Sequence, residues 1–367
     1  MTNTRNLERQ INKQFLKKEA VVFYPPEIII PVTEKGCLNE NELNVLKQKK
    51  LIAKQEIELF DDMLMELMLV ENPEYKKLGN ELLSLFKVYK DRYLGGHNSD
   101  NGGSWVYYNN TLIHLLKPKD HLRLRTSRNL GLLTKDEQEK ISNLHIAVGG
   151  LSVGGLCAVT LAMEGVNSFY LTDFDHLACS NLNRISSSIS MIGMKKTDIV
   201  AQRIWDIDPF ATIFANENGY NKETEHHMFN SERKPDVVID AMDSMEAKIA
   251  IREACRQHRV PLVWMIDMGD GVVQIGTERY DLDANYKAFH GGLEKMEQHL
   301  GRTPSYVESC FGIFNRNYLP YRMAESFYLA CNNQWPGISQ LAGTVSIAAG
   351  AISRVVRKIA LNEEINP

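Results

Sequence analysis

No two of the six cysteines, Cys37, Cys157, Cys179, Cys255, Cys310 and Cys331, stand in a C-x-x-C pair. The chain therefore offers no zinc ribbon and no dithiol redox motif, and no zinc is expected. Single thiols scattered in this way read as reduced, mostly buried residues of a cytoplasmic protein. A basic excess is missing too: 42 Lys and Arg face 46 Asp and Glu, for a net charge of −4. A general nucleic-acid binder carries the opposite balance, so no nucleic acid is expected as a partner. Long apolar runs are also lacking. Residues 1–20 are polar and helical in flavour, without the apolar stretch of a signal peptide. The most apolar late segment, 341–356, holds Gly343, Thr344, Ser346, Ser353 and Arg354 and is too short to span a membrane. It reads as a buried helix, and no membrane partner is expected.

What remains is an ordinary globular composition, 44% hydrophobic over 367 residues, with room for two or three domains, or for one large domain with appendages. Residues 1–94 read as an α-rich N-terminal domain, because apolar residues recur at helical spacing through Phe60, Met63, Leu64, Leu67 and Met68 and again through Leu78, Leu82, Leu83, Leu85 and Phe86. Pro25-Pro26 before Ile28–Ile30 marks an extended interruption. Residues 95–140 form a connecting segment. It opens on Gly95-Gly96, carries a hairpin over 104–116 turning at Asn109-Asn110, and ends in a basic run with His121, Arg123, Arg125 and Arg128.

From 141 to 283 the pattern changes to short apolar strands alternating with amphipathic helices, the mark of a parallel sheet covered on both faces. The fold class expected is α/β: a Rossmann-like, doubly wound, mostly parallel sheet, with the α-rich N-terminal domain before it and a helical C-terminal extension over 284–367.

Four motifs lie in this region. Gly149-Gly150-Leu151-Ser152-Val153-Gly154-Gly155 stands between a strand and a helix, where backbone N–H groups and the helix dipole suit a phosphate. It is looser than G-x-G-x-x-G, and a tight turn without ligand is the plainer alternative. Asp173-Phe174-Asp175 ends the next strand, nineteen residues after Gly154, where a carboxylate accepts from a ribose hydroxyl or caps a turn. Ser180-Asn181-Leu182-Asn183-Arg184 and Gly193-Met194-Lys195-Lys196 follow. An arginine and a lysine converging on this crossover suit a triphosphate better than a dinucleotide, although one of the two lysines reads as a solvated helix start. Asp240-Ala241-Met242-Asp243 ends the DVVIDA strand, where Asp243 suits Mg²⁺ on phosphates or the N-cap of the next helix.

As an ordered set these motifs resemble the ThiF/MoeB-type enzymes related to ubiquitin-activating enzymes, over residues 125–283. RTSRN, GLSVGG, LTDFD, SNLNR and IGMKK are most similar to a bacterial subgroup with members fused to a nitroreductase domain. The resemblance implies ATP and Mg²⁺ as cofactors, adenylation of a carboxylate on a peptide or small ubiquitin-like protein, and a cytoplasmic homodimer. It implies nucleotide contacts by Gly149, Gly150, Ser152, Gly154, Asp173, Asp175, Asn181 and Asn183. Arg184, Lys196 and Asp243 would carry the chemistry, Asp243 as the metal ligand, and Arg128 would enter the neighbouring subunit's site. Lys248 matches a position often basic in relatives. Leu151 and Ser152 stand where the family has glycines, its paired zinc cysteines are missing, and no cysteine suits a thioester relay. Cys179 is expected to pack and Cys255 to lie in the core. Two other readings stay open: a NAD- or FAD-binding oxidoreductase, which Asp173 suits, and an inactive scaffold, which Leu151 suits.

Overall fold

The computed structural model describes residues 24–301 and 306–365. The N-terminal stretch 1–20, expected to be helical, lies outside the described residues. Among these there are two compact units. The first lies within Val22–Gln138 and takes in the short return Trp205–Phe210. Its centre is a four-stranded sheet in the order β1 (Glu27–Ile29), β3 (Ser104–Tyr108), β4 (Thr111–Leu115) and β2 (Gln55–Glu58). The expected hairpin is β3–β4. Its turn residues Asn109 and Asn110 adopt φ of 50° and 62°, the two left-handed positions of a type I′ turn. β1 pairs antiparallel with β3, and β2 parallel with β4.

Helices α1 (Glu40–Ile52), α2 (Phe60–Glu71), α3 (Leu82–Leu94) and α4 (Pro118–Arg125) belong to the same unit. Phe60, Leu64 and Leu67 of α2 are buried with Leu116 and Leu124. His114 lies buried between the rings of Phe60 and Trp105, with centroids at 4.8 and 4.1 Å. Trp205 and Phe210 pack on Val106, Tyr108 and Leu115, and Arg125 pairs with buried Asp208 at 3.0 Å. The described part of the segment 1–94, expected as an α-rich domain, and the expected connecting segment over 95–140 thus contribute strands to one sheet.

The second unit takes Glu139–Ile204 and the described residues from Ala211 onward. Helix α5 (Lys135–Ser142) leads into β5 (His145–Gly149). There follow α6 (Val153–Met163), β6 (Ser168–Thr172), α7 (Lys196–Trp205), β7 (Thr212–Asn216), α8 (Lys222–Asn230), β8 (Val237–Asp240), α9 (Met245–His258), β9 (Leu262–Asp267) and β10 (Val273–Glu278). The six strands are ordered β10-β9-β8-β5-β6-β7. All neighbours are parallel except β10, which runs antiparallel on β9. The chain winds outward from β5 through β6 and β7, then returns to the other side of β5 for β8 and β9. The direction reverses between β5 and β8, and the crevice outside the carboxyl ends of those two strands is where such sheets bind ligands.

Alternate strand residues point to opposite faces. Ala147, Tyr170, Val238, Leu262 and Trp264 share one buried core with Met228 and Phe229 of α8 and with Ile251, Ala254 and Cys255 of α9. Val148 points the other way, against α6: a Cβ on Gly154 would lie 2.8 Å from it. The C-terminal helices α10 (Gly292–Leu300), α11 (Tyr306–Ile313), α12 (Tyr321–Cys331) and α13 (Ala342–Ala360) complete the unit. Phe289, Cys310, Ile313 and Phe327 lie in the same core as Trp264 and Tyr280, so the described helices of the expected extension over 284–367 pack into this unit. α13 is amphipathic rather than buried all round. Val345, Ala348, Ile352 and Val356 are buried while Ile347 is 52% exposed, and Ser353 and Arg357 bond to Glu164 beyond the end of α6.

Candidate functional site

The loop leaving β5 is fixed by one left-handed residue. Gly150 adopts φ +84°, and a side chain there would lie 2.5 Å from the Ala241 carbonyl oxygen. The turn after β8 thus packs directly on the loop after β5. Leu151 and Ser152 have no positive φ, so the glycines that relatives carry there are not required by this backbone. The Leu151 side chain is fully buried. Gly150→Ala is expected to add strain of about 1–3 kcal/mol and push the two loops apart. A lowered melting temperature together with at least about tenfold weaker binding of an ATP analogue in a nucleotide titration is the expected result.

Asp173, at the end of β6, organises this loop from the side. It is buried, its Oδ2 accepts from the Leu151 N–H at 2.6 Å and its Oδ1 from the Asp175 N–H at 2.8 Å. Burial pushes its carboxyl up, and the Lys196 charge and these two N–H groups oppose that. The turn-capping role weighed for Asp173 is therefore present, and each carboxylate oxygen keeps a lone pair for a further donor. Lys196 opens α7 buried, with its Nζ 2.9 Å from Asp175 Oδ2. Lys195 is the lysine at the surface, paired with Glu217.

The SNLNR segment folds back on itself around Arg184. Asn181 accepts the Ala178 N–H at 3.0 Å, which closes the turn Cys179–Asn181. Arg184 Nη1 donates to Asn183 Oδ1 at 2.9 Å and to the Ser180 carbonyl at 3.2 Å. Asn183 in turn donates to the Gln340 carbonyl at 2.8 Å. Arg184 Nε donates to Ser152 Oγ at 3.2 Å. The serine that departs from the family's glycine is thus a partner of the arginine, and it spans from the loop after β5 to the loop after β6.

Burial pulls the Arg184 guanidinium down, and the carboxylates of Asp243 and then Asp267 act against that shift. Asp243 is exposed. The cap of α9 is Ser244 rather than Asp243: the Ser244 hydroxyl accepts the Ala247 N–H. Arg184 is thus bonded to the glycine loop through Ser152, and Asp243 follows the Ala241–Met242 turn that packs on the same loop.

Beneath this turn lies a buried ionic network. Asp240 is fully buried and accepts from Lys248 Nζ at 3.2 Å on each oxygen, from Arg252 Nη1 at 2.7 Å and from the Met242 N–H at 3.1 Å. Arg252 also donates through Nε to Glu278 at 3.1 Å and covers the Phe289 ring at 3.6 Å. Glu278 accepts from Tyr280 Oη and from the Phe289 N–H. The two cations hold the Asp240 carboxyl below its ordinary value despite burial. Lys248, matched to a basic family position, serves here. Asp240 thereby anchors the turn that presents Asp243.

Sequence reasoning missed Arg252, Glu278 and Asp267. A charged residue in an amphipathic helix such as Arg252, or in an antiparallel edge strand such as Glu278, reads as solvated, and only the strand pairing brings these together. Cys179 corrects an expectation: it is exposed rather than packed. Cys157 and Cys255 are buried. Burial pushes the Cys157 thiol up to about 12 and Cys255 well above its ordinary value, which leaves neither as a thiolate nucleophile. Arg128 is exposed in the turn Ser127–Asn129 of the first unit. Among the described residues no three His, Cys, Asp or Glu side chains converge as a metal site, and no helix is long and apolar enough to cross a membrane.

The model of the ThiF family matches residues 126–359. An uncharacterized protein, MT1398, of Mycobacterium tuberculosis is 32% identical over 267 residues, covering 71% of this chain and 36% of that one. The tRNA threonylcarbamoyladenosine dehydratase of Bacillus subtilis is 34% identical over 139 residues, covering 37% of this chain and 54% of that one. Ubiquitin-like modifier-activating enzyme 5 of Arabidopsis thaliana is 27% identical over 158 residues, covering 39% and 36%. The chain thus spans from about a third to about half the length of these relatives. The matched region holds the whole six-stranded sheet, the glycine loop, Arg184 and Asp243, and the chain belongs to the ThiF family.

Proposed function

We propose that the chain activates a carboxylate by adenylation with ATP. The observation that carries this reading is the half-buried Arg184, bonded across to the glycine loop through Ser152 and acted on by Asp243. A cation and a carboxylate at the mouth of a phosphate-suited loop fit a metal-bound triphosphate. Hydride transfer calls for no carboxylate holding a metal on phosphates, which disfavours the NAD or FAD reading.

In this reading the substrate carboxylate attacks the α-phosphorus, the bond to the bridging oxygen breaks, and pyrophosphate leaves. Arg184 and Lys196 offset charge on the phosphates; Arg128 does so from the partner subunit of a homodimer. Asp173 and Asp175 face the ribose side, with Asn181 and Asn183 shaping the loop. Mg²⁺, which usually takes one or two protein carboxylates and fills its shell with phosphate oxygens and water, would be held by Asp243 and would neutralise phosphate charge. The protein's own contribution is positioning and preorganised charge.

The carboxylate is the C-terminus of a peptide or small protein in the cytoplasm, a reading the resemblance to a ubiquitin-like modifier-activating enzyme supports. The net charge of −4 favours it over the tRNA named for the Bacillus subtilis relative, since tRNA binding is driven by cationic surface. Asp243→Asn tests the metal assignment. The Mg²⁺ concentration that half-saturates ATP–pyrophosphate exchange is expected to rise by about tenfold or more. Unchanged Mg²⁺ dependence and turnover would remove Asp243 from the metal site.

A further inference from the structure

Residues 332–353 contain no Asp, Glu, Lys, Arg or His, in a chain that is 24% charged. The first part of this stretch joins α12 to α13 and lies at the surface, with Trp335, Ile338 and Leu341 44%, 38% and 55% exposed. Scattered singly, exposed apolar residues need no explanation; three of them within 335–341, with no charge among them, mark an interaction surface. The stretch is fixed from two sides. The Ser326 hydroxyl of α12 accepts the Ser339 N–H at 2.9 Å and lies 2.8 Å from the Ser339 hydroxyl. The Gln340 carbonyl accepts from Asn183 Nδ2 at 2.8 Å.

The second of these bonds places the surface. Asn183 Oδ1 accepts from Arg184 Nη1 at 2.9 Å, so a single amide joins the stretch to the arginine. The Gln340 carbonyl therefore lies within about 8 Å of the guanidinium, the length of two or three residues of extended chain. A substrate chain whose terminal carboxylate reaches a nucleotide held by Arg184 has its preceding residues within reach of Ile338 and Leu341. The surface there holds no charge, so a Lys, Arg, Asp or Glu laid on it loses water without gaining a partner. It holds no cation for a nucleic-acid backbone either.

Resting on the adenylation reading, we propose that Trp335, Ile338 and Leu341 form the docking surface for the tail of the substrate. That substrate is a peptide or small protein whose second to about fourth residues from the C-terminus are apolar and uncharged. The terminal carboxylate is then the one charge carried across this surface, and the side chains before it decide which substrate is adenylated.

The test is ATP–pyrophosphate exchange by the full chain with synthetic peptides that end in a free Ala carboxylate. The three residues before that Ala are Leu-Phe-Leu in one peptide, Lys-Ser-Lys in the second and Glu-Ser-Glu in the third. Wild type is expected to show a KM for the apolar peptide at least about tenfold below that for either charged one. Replacing both Ile338→Asn and Leu341→Asn should raise the apolar peptide's KM about tenfold, with kcat and binding of α,β-methylene-ATP close to wild type. Leu341→Glu should move the ranking toward the Lys peptide over the Glu peptide, a gain that damaged folding cannot produce. Equal use of the three peptides by wild type, exchange with none of them, or an unchanged ranking in both variants would overturn the proposal. A wild-type dimer that the double variant turns into a monomer in sedimentation would overturn it as well, by assigning the surface to a second copy of the chain. Each of these results leaves the nucleotide site standing, whereas a wild-type chain that binds no α,β-methylene-ATP defeats both readings together.

Discussion

Arg184→Ala is expected to lower ATP–pyrophosphate exchange by on the order of 10³-fold, the scale of removing a finger-type arginine from phosphoryl transfer. The exchange is run with a free C-terminal carboxylate peptide that supports it in wild type. The size of the effect follows from geometry. The guanidinium is half-buried, where a charge acts through a lower effective dielectric than at the surface. It is pre-positioned by Ser152, Asn183 and the Ser180 carbonyl, so little ordering remains to be done when phosphate binds. Arg184→Lys is expected to recover only a small part, because an ammonium cannot reproduce the planar fork that bridges Ser152 and Asn183. The fold should survive both changes, since the neutral groups that surround the guanidinium lie near solvent. Circular dichroism and melting temperature close to wild type separate this result from unfolding, and equal exchange rates in wild type and Arg184→Ala would remove Arg184 from the chemistry.

The largest loss of stability is expected from Arg252→Ala, about 3–5 kcal/mol. Arg252 is 1% exposed and neutralises Asp240 and Glu278, both 0% exposed. Truncation leaves Lys248 as the counter-charge nearest Asp240 and strips Glu278 of its cation, and an unpaired buried carboxylate is far more costly than a lost pair. A cavity beside Phe289 adds to this. Replacing Asp240, Lys248, Arg252 and Glu278 together with apolar residues of similar volume should lose much less, since desolvation of all four charges is then avoided. The variant set is compared by calorimetry, following the transition of the second unit. Function should respond differently from stability. The quadruple variant lacks the carboxylate that accepts the Met242 N–H, so the turn carrying Asp243 loosens and nucleotide affinity falls even where the fold is regained. If Arg252→Ala melts within a degree or two of wild type, the network contributes little and Asp240 is anchored by Lys248 alone.

Much of the second unit was legible because its strands are buried on both faces and read as unbroken apolar runs. DVVIDA became β8, PLVWMID became β9, and Met245–His258 is a helix with the bounds its periodicity gives. The first unit's sheet was less legible. β1 is three residues and β2 is Gln-Glu-Ile-Glu, too short and too polar to carry a pattern. Both are strands through pairing with β3 and β4, partners far away in sequence. At the site, residue type and order pointed to Asp173, Arg184, Lys196 and Asp243, because glycine loops and strand ends have a fixed relation to the sheet. Ser152 read only as a departure from glycine; its bond to Arg184 depends on how the loop after β6 folds back. Asp267 and Arg252 were silent for the same reason. Their significance is set by the register of β9 on β8 and by the face of α9 that meets β8 and β10.

The central claim is that Arg184 and Lys196 on one side and Asp243 on the other close around a metal-bound triphosphate. A crystal structure of the chain with α,β-methylene-ATP and Mg²⁺ tests it most directly. The account predicts Arg184 and Lys196 nitrogens on phosphate oxygens, and an Asp243 oxygen on the metal or on a water bound to it. Nucleotide bound elsewhere, or bound in the crevice with Arg184 and Asp243 turned apart, would contradict it.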